Sequence, residues 1–201
     1  MFELKKTVTL IGMMGSGKSA VGKVVSSILD VPFRDSDIEI ERAAKLSITE
    51  IFERNGEKFF REKEDQVIRR LLKEKNCILA TGGGAFINNK IRTSIKEHSI
   101  SVWLNADLDT LWKRVKHKKS RPLLRTDNPR ETLINIYTDR FKTYSLADII
   151  IDSNDKSSLA TCDGDSTCQR GERCALWIHD GDDREFCVNE SNCGGFGRFP
   201  I

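Results

Sequence analysis

The stretch Thr7-Val8-Thr9-Leu10-Ile11-Gly12-Met13-Met14-Gly15-Ser16-Gly17-Lys18-Ser19-Ala20 decides the fold. Thr7 to Ile11 reads as a buried strand, Gly12 to Ser19 as a glycine-rich turn, and Ala20 to Leu29 as a helix. That order aims backbone N–H groups at one point, and the helix N-terminus adds partial positive charge there. Glycines let the chain wrap closely where a Cβ would clash. The arrangement predicts a phosphate-binding loop over Gly15, Ser16, Gly17, Lys18, Ser19 and Ala20. Lys18 then reaches the terminal phosphates of a bound nucleotide, and the Ser19 hydroxyl is a ligand for Mg²⁺.

Outward from this point the chain alternates strand and helix as far as about Ser157. Apolar runs recur at Val31 to Phe33, Cys77 to Ala80, Ile100 to Leu104 and Ile149 to Ile151. Helical patterns occupy Ile38 to Lys45, Ile48 to Asn55, Lys58 to Lys75, Leu108 to Lys116 and Arg130 to Tyr144. This alternation predicts an α/β fold with a parallel sheet and a site at the strand C-termini. The basic segment His117 to Leu124 interrupts the rhythm. A charge run alone is a solvated face, but beside a phosphate loop it suits a mobile cover, expected over Lys116 to Asn128.

The composition narrows the class. With 201 residues, 38% hydrophobic and 31% charged, the chain fits one ordinary domain with an appendage. No apolar run nears the ~20 residues that span a bilayer, and Met1 to Lys6 shows no signal-peptide pattern. These features predict a cytoplasmic protein without a membrane partner. A net charge of +3 is too small to argue for nucleic acid. Cys77 stands alone in the body, whereas Cys162, Cys168, Cys174, Cys187 and Cys193 crowd the end. From Leu159 onward, eight acids against four bases give −4, so the rest of the chain carries +7. Residues 1–158 and 159–201 therefore read as two modules. Five-residue spacings in the tail do not suit zinc, whose paired ligands want two to four residues between them. A reducing compartment would leave those thiols unbridged.

Three further groups carry chemistry. Asp35 and Asp37, on a segment read as extended, would share a face near the phosphate loop. One suits a water on Mg²⁺ and the other the proton of an attacking hydroxyl. Gly82, Gly83 and Gly84 follow a buried strand and would expose backbone N–H groups to a ligand. Arg61 and Arg140, each unremarkable on a helix, would clamp a carboxylate if brought to one pocket.

Taken in order and spacing, GMMGSGKS (12–19), RDSDIEIE (34–41), GEKFFREKE (56–64), ATGGGAF (80–86), SRPLL (120–124) and TDRFKTYSLADIIID (138–152) closely resemble shikimate kinase. The resemblance covers about residues 5–156. It implies a P-loop kinase of the nucleoside monophosphate kinase type, with a central five-stranded parallel sheet, flanking helices and a lid. The implied reaction moves the γ-phosphoryl of ATP to the 3-hydroxyl of shikimate, in chorismate and aromatic amino acid biosynthesis. The implied state is monomeric, with Mg²⁺ as cofactor. Carried over residue by residue, Gly15 to Ala20, Arg114 and Arg121 bind nucleotide, with Arg121 the lid arginine. Ser19 and Asp35 serve Mg²⁺. Asp37, Arg61, Gly82, Gly83, Gly84 and Arg140 hold shikimate. Lys18, Asp37 and Arg121 are the catalytic set.

Two departures stand out. Ala20 replaces a frequent Thr, without harm to the backbone cradle. After Asn154 no helical pattern follows where the family usually adds a helix, and CDGDSTCQRGERC (162–174) resembles disulfide-linked repeats of secreted proteins. Two alternatives remain at this level. One is a kinase of another small hydroxy acid such as gluconate. The other is an impaired kinase body that serves as scaffold for a Cys-rich interaction module.

Overall fold

The computed structural model describes residues 4–117 and 121–154. The boundary at 158, the Cys-rich segment 159–201 and part of the expected cover (118–120) lie outside the described residues. Five strands form one parallel sheet: β1 (Thr7–Ile11), β2 (Phe33–Asp35), β3 (Ile78–Ala80), β4 (Ser99–Asn105) and β5 (Ile149–Asp152), in the order β2-β3-β1-β4-β5. Six α-helices connect or flank them: α1 (Lys18–Leu29), α2 (Ser36–Ala44), α3 (Ile48–Leu71), α4 (Asn89–His98), α5 (Leu108–Val115) and α6 (Pro129–Tyr144). This is the expected P-loop kinase architecture.

β1 lies in the middle because it is buried along its whole length. Its Thr7 and Thr9 are fully enclosed, and Thr9 Oγ1 donates to Ser99 Oγ at 2.8 Å. A parallel strand covered on both faces carries apolar residues at both parities, which is why it reads as a continuous run rather than an alternation. Val8 and Leu10 join Ile78, Val102 and Leu104 in one core cluster, against which Val25 of α1 packs. Ile11, Leu79 and Trp103 face the other, larger cluster with residues of α2 to α6.

Local chemistry sets the helix ends. Asp35 caps α2 by accepting the Asp37 N–H at 3.0 Å. Ser47 and Glu50 form a reciprocal capping box at the start of α3. Asp107 caps α5 through the Thr110 N–H at 2.7 Å, and Asn128 caps α6 with Pro129 at its first position. Such caps satisfy amides that a helix start leaves unpaired.

Several expectations need correction. β2 sits two residues later than the run Val31 to Phe33. Asp35 therefore ends the strand, and Asp37 lies in the first turn of α2 rather than on a shared extended face. The capping bond to Asp37 turns the chain there. The two helices expected over 48–55 and 58–75 are both present within α3, separated by non-helical backbone at Gly56, and the second ends at Leu71 rather than Lys75. Gly56 has φ +79° and ψ 172°, a conformation open to glycine alone. Helix α4 was not expected, since it offers the core only Ile91 and Ile95.

Candidate active site

The C-terminal ends of all five strands meet the same edge of the sheet. β1 feeds the loop 12–17, β2 ends at Asp35, β3 feeds Thr81 to Gly84, β4 ends at Asn105, and β5 leads to Ser153. In an open α/β sheet this edge is where ligands bind.

The loop after β1 is held from several sides. Ser16 is fully buried, its N–H donates to the Met13 carbonyl at 3.1 Å, and its own carbonyl accepts from Ser153 Oγ at 3.0 Å. Gly17 caps α1 at φ +94°, the left-handed geometry that turns the loop's amides into the helix N-terminus. A Cβ on Gly15 would stand 2.7 Å from Val115 Cγ1, so α5 presses directly on the loop. From that helix Arg114 donates to the Gly15 carbonyl at 3.2 Å. Ser19 and Ala20 sit exposed in the first turn of α1.

Lys18 is 9% exposed and folds back over the loop. Its Nζ donates to the carbonyls of Gly12 and Met13, both at 2.8 Å. Burial lowers its pKa to about 8, despite the opposing pull of Asp37. Asp37 is displaced the other way, to about 6, chiefly by burial and then by the negative charges of Asp35 and Glu64. Arg121 acts electrostatically on both Lys18 and Asp37. These three expected catalytic residues share one field.

The triple glycine lies among four charged side chains, Asp37, Glu64, Arg61 and Arg140. A Cβ on Gly82 would lie 2.8 Å from Asp37 Oδ1 and 2.8 Å from Glu64 Oε1. On Gly83 it would lie 3.6 Å from Arg140 Nη1, and on Gly84 2.5 Å from Arg61 Nη1. At Gly82 and Gly84 a side chain would thus collide with Asp37, Glu64 or Arg61, whereas at Gly83 the approach of Arg140 is ordinary contact. Arg61 is held on α3 by Glu64 at 2.8 Å and Glu57 at 2.9 Å. α6 brings Arg140 to the same turn. The described part of the cover, from Arg121 on, is linked to α3 by Arg125 and Glu53 at 3.2 Å.

Sequence reasoning missed Glu64. It is fully buried, its carboxyl is pushed up by that burial, and it faces Asp37 across Gly82. The available signal was its position three residues after Arg61, on the same helix face. It missed Tyr144 as well, which had no local signal beyond a place at the end of a helical pattern.

Among the described residues, five buried side-chain polar atoms lack a protein partner: Asp37 Oδ1, Glu64 Oε1, Arg121 Nε, Arg140 Nη1 and Asn105 Oδ1. Four belong to the cleft just described. Buried polar groups are ordinarily paired, so their concentration here marks a surface shaped for a polar ligand. Ser19 Oγ donates to Asp35 Oδ2 at 2.6 Å, which puts two hard oxygen donors side by side at the phosphate end. That donor set suits Mg²⁺, which takes one or two protein oxygens and completes its shell from water and phosphate.

The chain is similar to known proteins. The family model "Shikimate kinase" matches residues 14–166. A shikimate kinase of Cereibacter sphaeroides is 57% identical over 155 residues, covering 77% of this chain and 78% of that protein. One from Ruegeria pomeroyi is 55% identical over 156 residues, with 78% and 80% covered. Among solved structures, shikimate kinase from Acinetobacter baumannii in complex with shikimate superposes with a TM-score of 0.74 at 37% identity, covering 76% of this chain and 86% of that one. A family match over three quarters of the chain, with relatives more than half identical, establishes that this chain belongs to the shikimate kinase family.

Proposed function

We propose that the cleft phosphorylates the 3-hydroxyl of shikimate with ATP, with the site residues in the following roles. The observation that carries this reading is the set of partnerless buried atoms around Gly82 to Gly84: two carboxylates at one end, guanidinium at the other. A small acid with several hydroxyls complements that polarity, its carboxylate on Arg61 and Arg140 and a hydroxyl on Asp37. Gluconate shares the functional groups but is a flexible open chain. Motifs after the phosphate loop favour the shikimate pocket over it, and intact Lys18, Asp37 and Arg121 argue against an impaired scaffold.

In the reaction the attacking hydroxyl gives its proton to Asp37. Its oxygen forms the new bond to the γ-phosphorus as the bond to the β–γ bridging oxygen breaks and ADP leaves. A carboxyl displaced to about 6 is ionised at neutral pH yet more basic than an ordinary aspartate. Lys18 exchanges its contacts with the Gly12 and Met13 carbonyls for phosphate oxygens. Arg121 adds a second cation from the cover, and Arg114 flanks the nucleotide beside Gly15. Phosphoryl transfer depends on such positioning and charge neutralisation more than on covalent help. Ser19 and Asp35 would hold Mg²⁺, which supplies charge neutralisation at the β- and γ-phosphates. We place the enzyme in the cytoplasm as a monomer. Among the described residues no helix is long and apolar enough to cross a membrane.

The test is Arg61→Ala. Loss of a charged partner to a carboxylate predicts a shikimate KM raised on the order of 100-fold, with the ATP KM within about twofold. A raised ATP KM with unchanged shikimate KM would reject the pocket assignment.

A further inference from the structure

Tyr144, the last residue of α6, is 1% exposed. Its ring packs 5.7 Å from that of Trp103, and its hydroxyl lies 3.9 Å from Met13 Sδ. An apolar ring in this place would be served equally by phenylalanine, so the hydroxyl needs its own explanation. It donates its single proton to the Gly83 carbonyl. The Arg140 guanidinium, one helical turn earlier on α6, lies near enough to act electrostatically on that hydroxyl, and its Nη1 comes 3.6 Å from where a Cβ on Gly83 would stand. One buried hydroxyl therefore holds the middle of the triple glycine where it meets the arginine of α6. The guanidinium carries five N–H donors in a fixed plane. The Gly83 peptide, held by the Tyr144 hydroxyl, is the surface against which that plane lies, so fixing the peptide limits where the donors point. Arg140 Nη1 is then buried beside Gly83, without a protein partner.

We propose that Tyr144 is a positioning residue for the substrate carboxylate: its hydroxyl holds Arg140 and the Gly83 peptide in one register, so that Arg140 Nη1 is presented to the acid. The proposal rests on reading Arg140 as the carboxylate partner. It deepens that reading by placing part of the discrimination between an acid and its neutral analogue in a group that does not touch the substrate. Without the hydroxyl, the guanidinium keeps its charge but loses its orientation. A misaligned fork still attracts the acid but no longer meets it through well-directed hydrogen bonds.

The experiment compares shikimate with its methyl ester in the full chain. In Tyr144→Phe the shikimate KM should rise about tenfold, with kcat and the ATP KM within about twofold. The ester KM should stay unchanged, so the preference for acid over ester falls about tenfold. A purely structural role would weaken acid and ester alike, and an unchanged acid-to-ester preference overturns the proposal. Arg140→Ala separates the two levels. If it leaves that preference intact, the reading of Arg140 fails. If it abolishes the preference while Tyr144→Phe does not, only the role of Tyr144 fails. Should Tyr144→Phe not fold, the wild-type protein gives the answer. It has two tyrosines, so ¹³Cζ-tyrosine labelling yields two resonances, which Tyr137→Phe assigns. The Tyr144 resonance should move on adding shikimate and by less than about a third as much on adding the ester, since that carbon reports the hydroxyl's hydrogen bonds. Equal shifts overturn the proposal.

Discussion

Replacing Asp37 with Asn should stabilise the protein while abolishing its turnover. The carboxyl titrates near 6 in the fold, against 3.8 for an unconstrained aspartate, because it is buried beside Asp35 and Glu64. A raised carboxyl pKa means that the folded state prefers the protonated form. Its penalty is absent below pH 3.8 and complete above pH 6. A displacement of that size corresponds to about 3 kcal/mol at pH 7, falling to about 1.6 kcal/mol at pH 5 and about 0.6 kcal/mol at pH 4. Asn keeps the shape without the charge, so Asp37→Asn should gain up to about 3 kcal/mol at pH 7. Urea titrations of both proteins at pH 7, 5 and 4 measure the gap, provided the slopes match. A gap that narrows as pH falls supports the account. A variant less stable at pH 7, or a gap independent of pH, would refute the reasoning. A narrowing gap would fit a proton acceptor kept at the expense of stability, as expected of functional sites.

Lys18→Met should cut turnover by on the order of 10²-fold or more while the fold persists by circular dichroism, because it removes a cation from the transferring group. The profile of kcat/KM against pH should rise through about 6 as Asp37 ionises and fall through about 8 as Lys18 loses its proton. In kcat the alkaline limb should move upward, since bound phosphates favour the charged lysine. Gly84→Ala puts a methyl 2.5 Å from Arg61 Nη1 and forces that side chain off Glu64. Its shikimate KM should rise by about tenfold or more, with the ATP KM within about twofold.

What the sequence disclosed depended on how local each signal was. The phosphate loop, the five strands and α5 and α6 follow from short contiguous patterns, and the structure carries all of them. The path from Asp35 to Asp37 was misread because a capping hydrogen bond, invisible in the residue types alone, starts α2 there. The separation of the two helices within α3 was legible in the pattern, and non-helical backbone at Gly56 carries it; the second helix holds Arg61 and Glu64. Helix α4 contributes two isoleucines to the core and is otherwise polar, too faint a periodicity to be noticed. Glu64 and Tyr144 owe their significance to distant partners, Gly82 across a loop and Gly83 across the cleft. No window of sequence contains those contacts.

The most direct test of the central claim is phosphoryl transfer itself. Purified full-length protein, ATP and Mg²⁺ are supplied with shikimate or with gluconate, ADP release is followed by a coupled assay, and the product is identified by ³¹P NMR. The account predicts shikimate-dependent ADP release, a phosphate ester on the 3-hydroxyl, and gluconate turnover at least about 100-fold lower in kcat/KM, the scale on which a site built around one acceptor rejects another. Equal or faster turnover of gluconate, or no transfer to shikimate by folded protein, would contradict it.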